Sequence, residues 1–372
     1  MMELAAPLAQ EIVTQMKEII HQEINFMNKQ AIIMASTDPD RIGKMHGGAK
    51  EVIKTKRPLT IATDYSYPGS KKGINIPIYF EQEIIGVIGI TGEKEKVQQH
   101  GELIKKMTEI LIKEDYLKDI LSKQRDRSRH IISALLHQEI SSKAADTPDP
   151  FSYDYSIPHV AVIGKCTSIP LDLRNDLHKI IEQSAILDHK HIFTILSDQL
   201  YILFREETTS NVQHILRQLV DEIHSKTTLP FRFGIGLRSE SQKEARQSFI
   251  QAADALKWTI LSNHTVELYQ EMDNGILYAG LSEEKAAHYS HKILSGIPSD
   301  EREELKLLFF TYGETNKSVA KSAEKLFLHK NTFQYKLNKI QHYTGYDPKV
   351  VNDYVVLYSA FVLESLSSST IV

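Results

Sequence analysis

The sequence predicts a multidomain α/β plus all-α chain: an α/β domain at about 1–120, an α+β domain at about 135–270 and a helical domain at about 300–372. Three observations carry this. A chain of 372 residues exceeds what one hydrophobic core ordinarily organises. Strand-like and helix-like apolar spacings alternate up to about residue 270, and only helical spacing follows. Ser141 to Ser152 is polar and carries Pro148 and Pro150, the composition of a linker or long loop.

Composition narrows the function classes. A hydrophobic share of 41% and a charged share of 25% are those of a globular protein. The formal net charge of −4 makes no general case for nucleic acid, so such a partner needs a local basic patch. The single cysteine, Cys166, excludes an intramolecular disulfide and a Cys-rich zinc site, and fits a reducing cytosol. No apolar run approaches the roughly 18 residues of a spanning helix. The start Met1-Met2-Glu3-Leu4 lacks the build of a signal peptide. The expectation is a cytoplasmic chain with no membrane partner, no metal site and no cofactor.

The elements follow in order. Leu8, Ile12, Met16, Ile19 and Ile20 sit at helical spacing, and a strand is expected at 31–35. After a polar turn at 36–40 comes a loop rich in Gly and His, 41–49. Strands at 73–80 and 84–90 are joined by Glu81-Gln82-Glu83 as a hairpin. A helix covers 93 to about 121, and a charged stretch, 123–127, leads into a second at 131–140. The middle reads as strand 159–163, helix 171–188, hairpin strands 192–196 and 200–204, helix 210–225, strand 231–237 and helix 241–258. This β-α-β-β-α-β-α order is that of a split βαβ sandwich.

At the C-terminal end, a helix over 301–312 is expected to stop at Gly313. Asn316 is placed to cap a second helix with Val319, Ala320, Ala323 and Leu326 facing inward. After the turn 327–329 a third helix opens at Lys330, with Phe333, Leu337 and Ile340 as one buried stripe. Lys330, Asn331, Thr332, Gln334, Tyr335, Lys336 and Lys339 then fall on its outer surface. Residues 316–345 hold six lysines, one glutamate and no Arg or Asp, a local charge of +5. Phosphates require such a concentration, and Asn and Gln at a helix start suit adenine edges in the major groove of double-stranded DNA.

Two carboxylate-binding features stand out nearer the start. Arg41 offers a planar fork for a carboxylate, and Gly43, Gly47 and Gly48 allow backbone amides to point at an anion. His46 and Asn75 add donors suited to hydroxyls or a second carboxylate, and Gly73 permits close backbone approach. A small oxygen-rich carboxylate effector fits this set.

These residues carry a resemblance. Leu328 to Leu337, followed by Thr344-Gly345-Tyr346-Asp347, resembles the helix-turn-helix that closes PucR-like and carbohydrate-diacid-type regulators. It departs from the common pattern at Phe333-Gln334, where an aliphatic-Arg pair is usual, which bears on base preference. Arg41-Ile42-Gly43, His46-Gly47, Ala49, Gly73 to Ile78 and Gly86 to Gly92 resemble the sugar-diacid recognition domain of the carbohydrate diacid regulator family. The resemblance implies ligand contacts at Arg41, Gly43, His46, Gly47, Gly73, Ile74 and Asn75. It implies a DNA-binding regulator, an activator of genes for glucarate, galactarate or glycerate use, that acts as a homodimer or higher homo-oligomer. The middle domain, with Gly234-Ile235-Gly236, is similar to GGDEF-type cyclase domains. Its hairpin, Leu196-Ser197-Asp198-Gln199-Leu200, has one Asp and no Gly pair, so a degenerate, non-enzymatic module with no catalytic residues is expected. The alternative, a nucleotide cyclase or phosphodiesterase in residues 159–258, would show itself as GTP turnover with Mg²⁺.

Overall fold

A computed structural model of the chain describes residues 4–137, 153–166, 169–184, 186–188 and 190–368. The expected linker, Ser141 to Ser152, lies outside the described residues. The chain forms two compact units, 1–124 and 125–372.

In the first unit, α1 (Ala6–Ile20) leads into β1 (Ile24–Met27) and β2 (Ile33–Ser36). Next come α2 (Gly47–Thr55), β3 (Leu59–Ile61), β4 (Gly73–Phe80), β5 (Glu83–Thr91) and the start of the long α3 (Lys94–Leu136). The five strands form one antiparallel sheet in the order β2-β1-β5-β4-β3. Successive side chains of a strand point to opposite faces, and this alternation divides the core. Ile12, Met16, Phe26, Ile74, Ile76, Ile88, Ile104 and Ile112 join α1 and α3 to one face. Met27, Ile33, Ala49, Val52 and Val87 join α2 to the other.

Four elements of this unit differ from expectation, among them the three-residue β3, which was not expected. Strand β1 was not expected, because four residues with an internal Asn give too short a pattern. Helix α2 starts inside the stretch expected to be loop, since Gly47-Gly48 carries a poor helix propensity that capping and packing override here. Helix α3 runs unbroken through the charged stretch 123–127 for 43 residues.

In the second unit, the end of α3 packs Ile131, Ile132 and Leu135 against Ala161, Leu203 and Phe249. The sheet comprises β6 (His159–Lys165), β7 (Ile192–Leu196), β8 (Gln199–Arg205), β9 (Arg232–Ser239) and β10 (Val266–Leu268), in the order β10-β9-β6-β8-β7. Helices α4 (Leu171–Gln183) and α5 (Thr209–Thr227) bring Leu177, Ile181, Leu216 and Ile223 to one face of it. Helix α6 (Gln242–Ser262) brings Ala252 and Leu256 to the other. The Gly234 and Gly236 pair serves this packing: a Cβ on either would lie 2.0–2.1 Å from the α6 carbonyls of Ser248 or Ala252. The parallel edge strand β10 was not expected, and α4 ends at Gln183 rather than 188.

Six helices follow: α7 (Gly275–Ala279), α8 (Glu283–Leu294), α9 (Ser299–Glu314), α10 (Val319–Lys325), α11 (Lys330–Thr344) and α12 (Val351–Ser368). Leu294, Leu305, Phe309, Ala323, Phe333, Leu337, Ile340 and Phe361 make the core shared by α8 to α12, while α7 packs Ala279 against Ala255 of α6. Gly313 lies within the last turn of α9 instead of ending it, and its bare Cα admits the Tyr354 hydroxyl, which a Cβ would meet at 2.0 Å.

Candidate functional site

The sensor-like site is built around the N-terminus of α2. His46 caps that helix, its Nδ1 accepting the Ala49 N–H at 3.1 Å. The ring is 3% exposed, and its accepting nitrogen places the proton of the neutral ring on Nε2. Burial first, and the Arg41 cation second, pull its pKa down to about 4. A capping His that cannot easily charge is a stability device with a definite sign. The unfolded ring titrates near 6.5 and the folded one near 4, so the folded state binds fewer protons between them. Stability is then lost as pH falls below about 6.5, by ~3 kcal/mol once pH is below 4. His46→Asn keeps a good cap without a titrating ring. Melting of the full chain between pH 7 and 5 should fall less steeply in this variant. An unchanged slope would remove His46 from the acid response, leaving His191, which burial also pulls to about 4, and His159 and His178, which burial pulls down as well.

Gly48 stands where three groups converge. A Cβ there would meet Asn75 Nδ2 and Ile61 Cδ1 at 2.8 Å and His46 Cε1 at 3.2 Å. Asn75, on β4, is paired across the sheet with Gly89, and Gly89 with Asn25 on β1. The row Asn25-Gly89-Asn75 therefore shares the α2 face, and the bare Gly89 leaves room beside the Asn75 amide, whose Oδ1 would lie 2.8 Å from a Cβ there. Asn25 Oδ1 accepts the Ser36 hydroxyl at 2.7 Å. Asn75 is only 3% exposed, yet its side chain makes no hydrogen bond among the described residues. Neither amide atom is fully sealed from solvent, so the group stays open to a hydrogen-bonding partner from outside. It lies beside the N-terminus of α2, the positive end of that helix's dipole.

Arg41 ends a short 3₁₀ turn, Pro39–Arg41, and its Nη2 donates to the Gly69 carbonyl at 2.7 Å, with the rest of the half-buried fork unengaged by the described residues. The glycine amides are corrected. Gly43 N–H donates to the Ile33 carbonyl and Gly47 N–H to the Pro68 carbonyl, both at 2.8 Å, so neither points at an anion. Only Gly48 N–H, of the three, has no partner among the described residues. Gly73 and Ile74 belong to the framework: Ile74 is buried against α1 and α3 on the opposite face, and a Cβ on Gly73 would strike the Ile90 carbonyl at 2.0 Å. Asn25, Gly89 and Ser36 were missed; a polar residue in the wholly buried β1 was the signal available.

The second site is the helix-turn-helix of α10 and α11. Ser318, not Asn316, caps α10; Asn316 and Lys317 both take left-handed backbone, at φ 53° and 61°. Ala320 is exposed, and the buried small pair is Ser322 and Ala323. His329 caps α11, Phe333, Leu337 and Ile340 are buried as expected, and Gly345 closes the helix in left-handed backbone. Lys330, Asn331, Thr332 and Tyr335 are exposed, while Gln334, Lys336 and Lys339 are half-buried. Gln334 donates to Asn338 at 2.9 Å.

The +5 charge of this segment is largely answered from α9. Lys336 pairs with Glu304 at 2.6 Å, Lys339 with Glu301 at 2.7 Å and Lys325 with Glu314 at 2.7 Å. Lys317 lies over the Tyr354 ring at 4.2 Å. Lys321 and Lys330 have exposed side chains, and no ion pair within the described residues engages either. The turn before α11 presents Phe327, 97% exposed with φ 55°, which the sequence reading passed over.

In the middle domain, the one carboxylate of the β7–β8 turn, Asp198, receives Arg174 Nη2 at 2.7 Å. Among the described residues no group of three His, Cys, Asp or Glu side chains could hold a metal ion, and no helix is long and apolar enough to cross a membrane.

Comparison with known proteins follows the same division of the chain. The sequence model for sugar diacid recognition matches residues 4–135, that of a GGDEF-like domain residues 149–258 and that of the PucR C-terminal helix-turn-helix domain residues 309–363. A protein of Haemophilus influenzae is 29% identical over 98% of this chain and 100% of its own length. The carbohydrate diacid regulator of Escherichia coli is 25% identical over 97% of this chain and 98% of its own. YsfB of Bacillus subtilis is 26% identical over 95% and 96%. With all three modules in one polypeptide, the chain is a helix-turn-helix transcription regulator, similar over nearly its whole length to the carbohydrate diacid regulator.

Proposed function

We propose that this regulator reads double-stranded operator DNA with the first turns of α11 and is switched by a small carboxylate held at the N-terminus of α2. One observation carries the reading: the Asn75 amide, open to solvent and with no hydrogen bond from the described residues, stands beside the free Gly48 N–H in the same cluster as Arg41 and His46. The charge of Arg41 suits a carboxylate, and the Asn75 amide suits a hydroxyl or second carboxylate. A hydroxy acid such as glycerate, or a sugar diacid such as glucarate or galactarate, has this chemistry, and we assign the protein to control of genes for using such an acid. Arg174 on Asp198 supports reading the middle domain as a structural module, because that carboxylate already has a cationic partner.

On DNA, Asn331 and Gln334 are the base-reading residues in this proposal, Lys330 and Thr332 hold phosphate, and Tyr335 packs beside them. Lys336 and Lys339 reach phosphate only by exchanging their glutamate partners, surface ion pairs that solvent and salt weaken. Because one α11 reads a half-site, the working form is a homodimer. Substituting Asn331→Ala with Gln334→Ala should remove ~2–6 kcal/mol of discrimination between operator and random duplex. Quantitative gel shifts check this, and full discrimination in the double variant would contradict the assignment of α11.

A further inference from the structure

Helix α3 carries apolar side chains on two sides. Val97, Ile104 and Ile112 are buried in the core of the first unit. Yet Leu103, Ile110, Leu117, Ile120 and Leu121 are 52, 64, 48, 41 and 43% exposed. Single exposed leucines are unremarkable, but five large apolar residues within one 19-residue stretch form a patch that water penalises. Leu103, Ile110 and Leu117 recur at seven-residue intervals, and Leu121 lies four further on. A seven-residue interval keeps side chains on a narrow stripe that drifts only about 20° per repeat on a straight helix, the drift a left-handed supercoil absorbs. The stripe runs over about 27 Å at 1.5 Å per residue. The charges beside it are answered within the helix: Glu114 holds Lys118 and Asp119 holds Lys123, each at 2.8 Å.

We infer that the stripe Leu103-Ile110-Leu117-Leu121 is where a second copy of this chain docks, α3 against α3. A two-fold interface needs one patch that complements itself, and a seven-residue apolar repeat on a single helix supplies such a patch. The inference rests on the homodimer reading above and names its surface. It also gives the sensor a route to the dimer, since the helix that bears the stripe is packed by its other face on the sheet holding Asn75.

Sedimentation of the full chain, parent against Ile110→Glu with Leu117→Glu, tests it. Four carboxylates brought into the seam should weaken association about 100-fold, turning a micromolar dimer into a monomer. Ile110→Cys provides an independent readout, because the native Cys166 is buried: mild oxidation should yield a disulfide-linked dimer on a denaturing gel. A dimer that survives both glutamates, or a dimeric Ile110→Cys chain that does not cross-link, overturns the seam and leaves the dimer reading standing. A parent chain that sediments as a monomer overturns both.

Discussion

Phe333→Ala should unfold the DNA-binding end of the protein. The ring is fully buried in the core shared by α9, α10, α11 and α12, with the Tyr312 ring 6.1 Å away. It is the first inward residue of α11, and Leu337 and Ile340 continue its stripe. Truncating a buried Phe to Ala removes its transfer free energy and leaves a cavity, together ~3–5 kcal/mol. That is a large part of the net stability of an ordinary domain, so operator binding should be lost together with the thermal transition of the helical end. Phe327→Ala is the matched control: six residues earlier, with the same chemistry removed, it should shift stability by no more than about 0.5 kcal/mol, because Phe327 is 97% exposed. Calorimetric melting of the two variants beside the parent decides it, and equal transitions would mean that α11 is not seated by this stripe.

The contrast between these two phenylalanines shows what could be read from sequence. The i, i+4, i+7 spacing of Phe333, Leu337 and Ile340 identified a buried helix face, and two apolar runs about the polar Glu81-Gln82-Glu83 identified β4 and β5. Spacing does not reveal which cations are already paired. The basic segment read as a phosphate-binding patch, but Glu301, Glu304 and Glu314 reach it from α9, an element the local charge count left out. Likewise Gly43, Gly47 and Gly73 were counted as anion contacts because glycine permits such approach. Their amides or Cα atoms are instead used by the Ile33, Pro68 and Ile90 carbonyls. Ile74 was one residue away from Asn75, and in a strand one residue changes the face. The row Asn25-Gly89-Asn75 depends on the register of three strands, and β1 was too short to be expected, so the lone polar Asn25 was the only trace of its share.

Arg41→Ala bears most directly on the central claim, that a small carboxylate is held at α2 and is the signal this regulator reads. Bidentate pairing of a guanidinium with a carboxylate is a charge-assisted pair of hydrogen bonds, each worth ~1.5–3 kcal/mol. Its loss should weaken binding by at least about 10-fold, since 1.4 kcal/mol is a factor of ten. The substitution also releases the Gly69 carbonyl. That carbonyl sits on an exposed loop where water can replace the donor, so the melting temperature should change little. The measurement is titration calorimetry of the full chain with glucarate, galactarate and glycerate, for the parent and for Arg41→Ala. The account predicts saturable binding of at least one acid by the parent, at least 10-fold weaker in the variant with an unchanged melting temperature. Binding of equal strength in the two proteins, or no binding of any of the three acids by the parent, would contradict it.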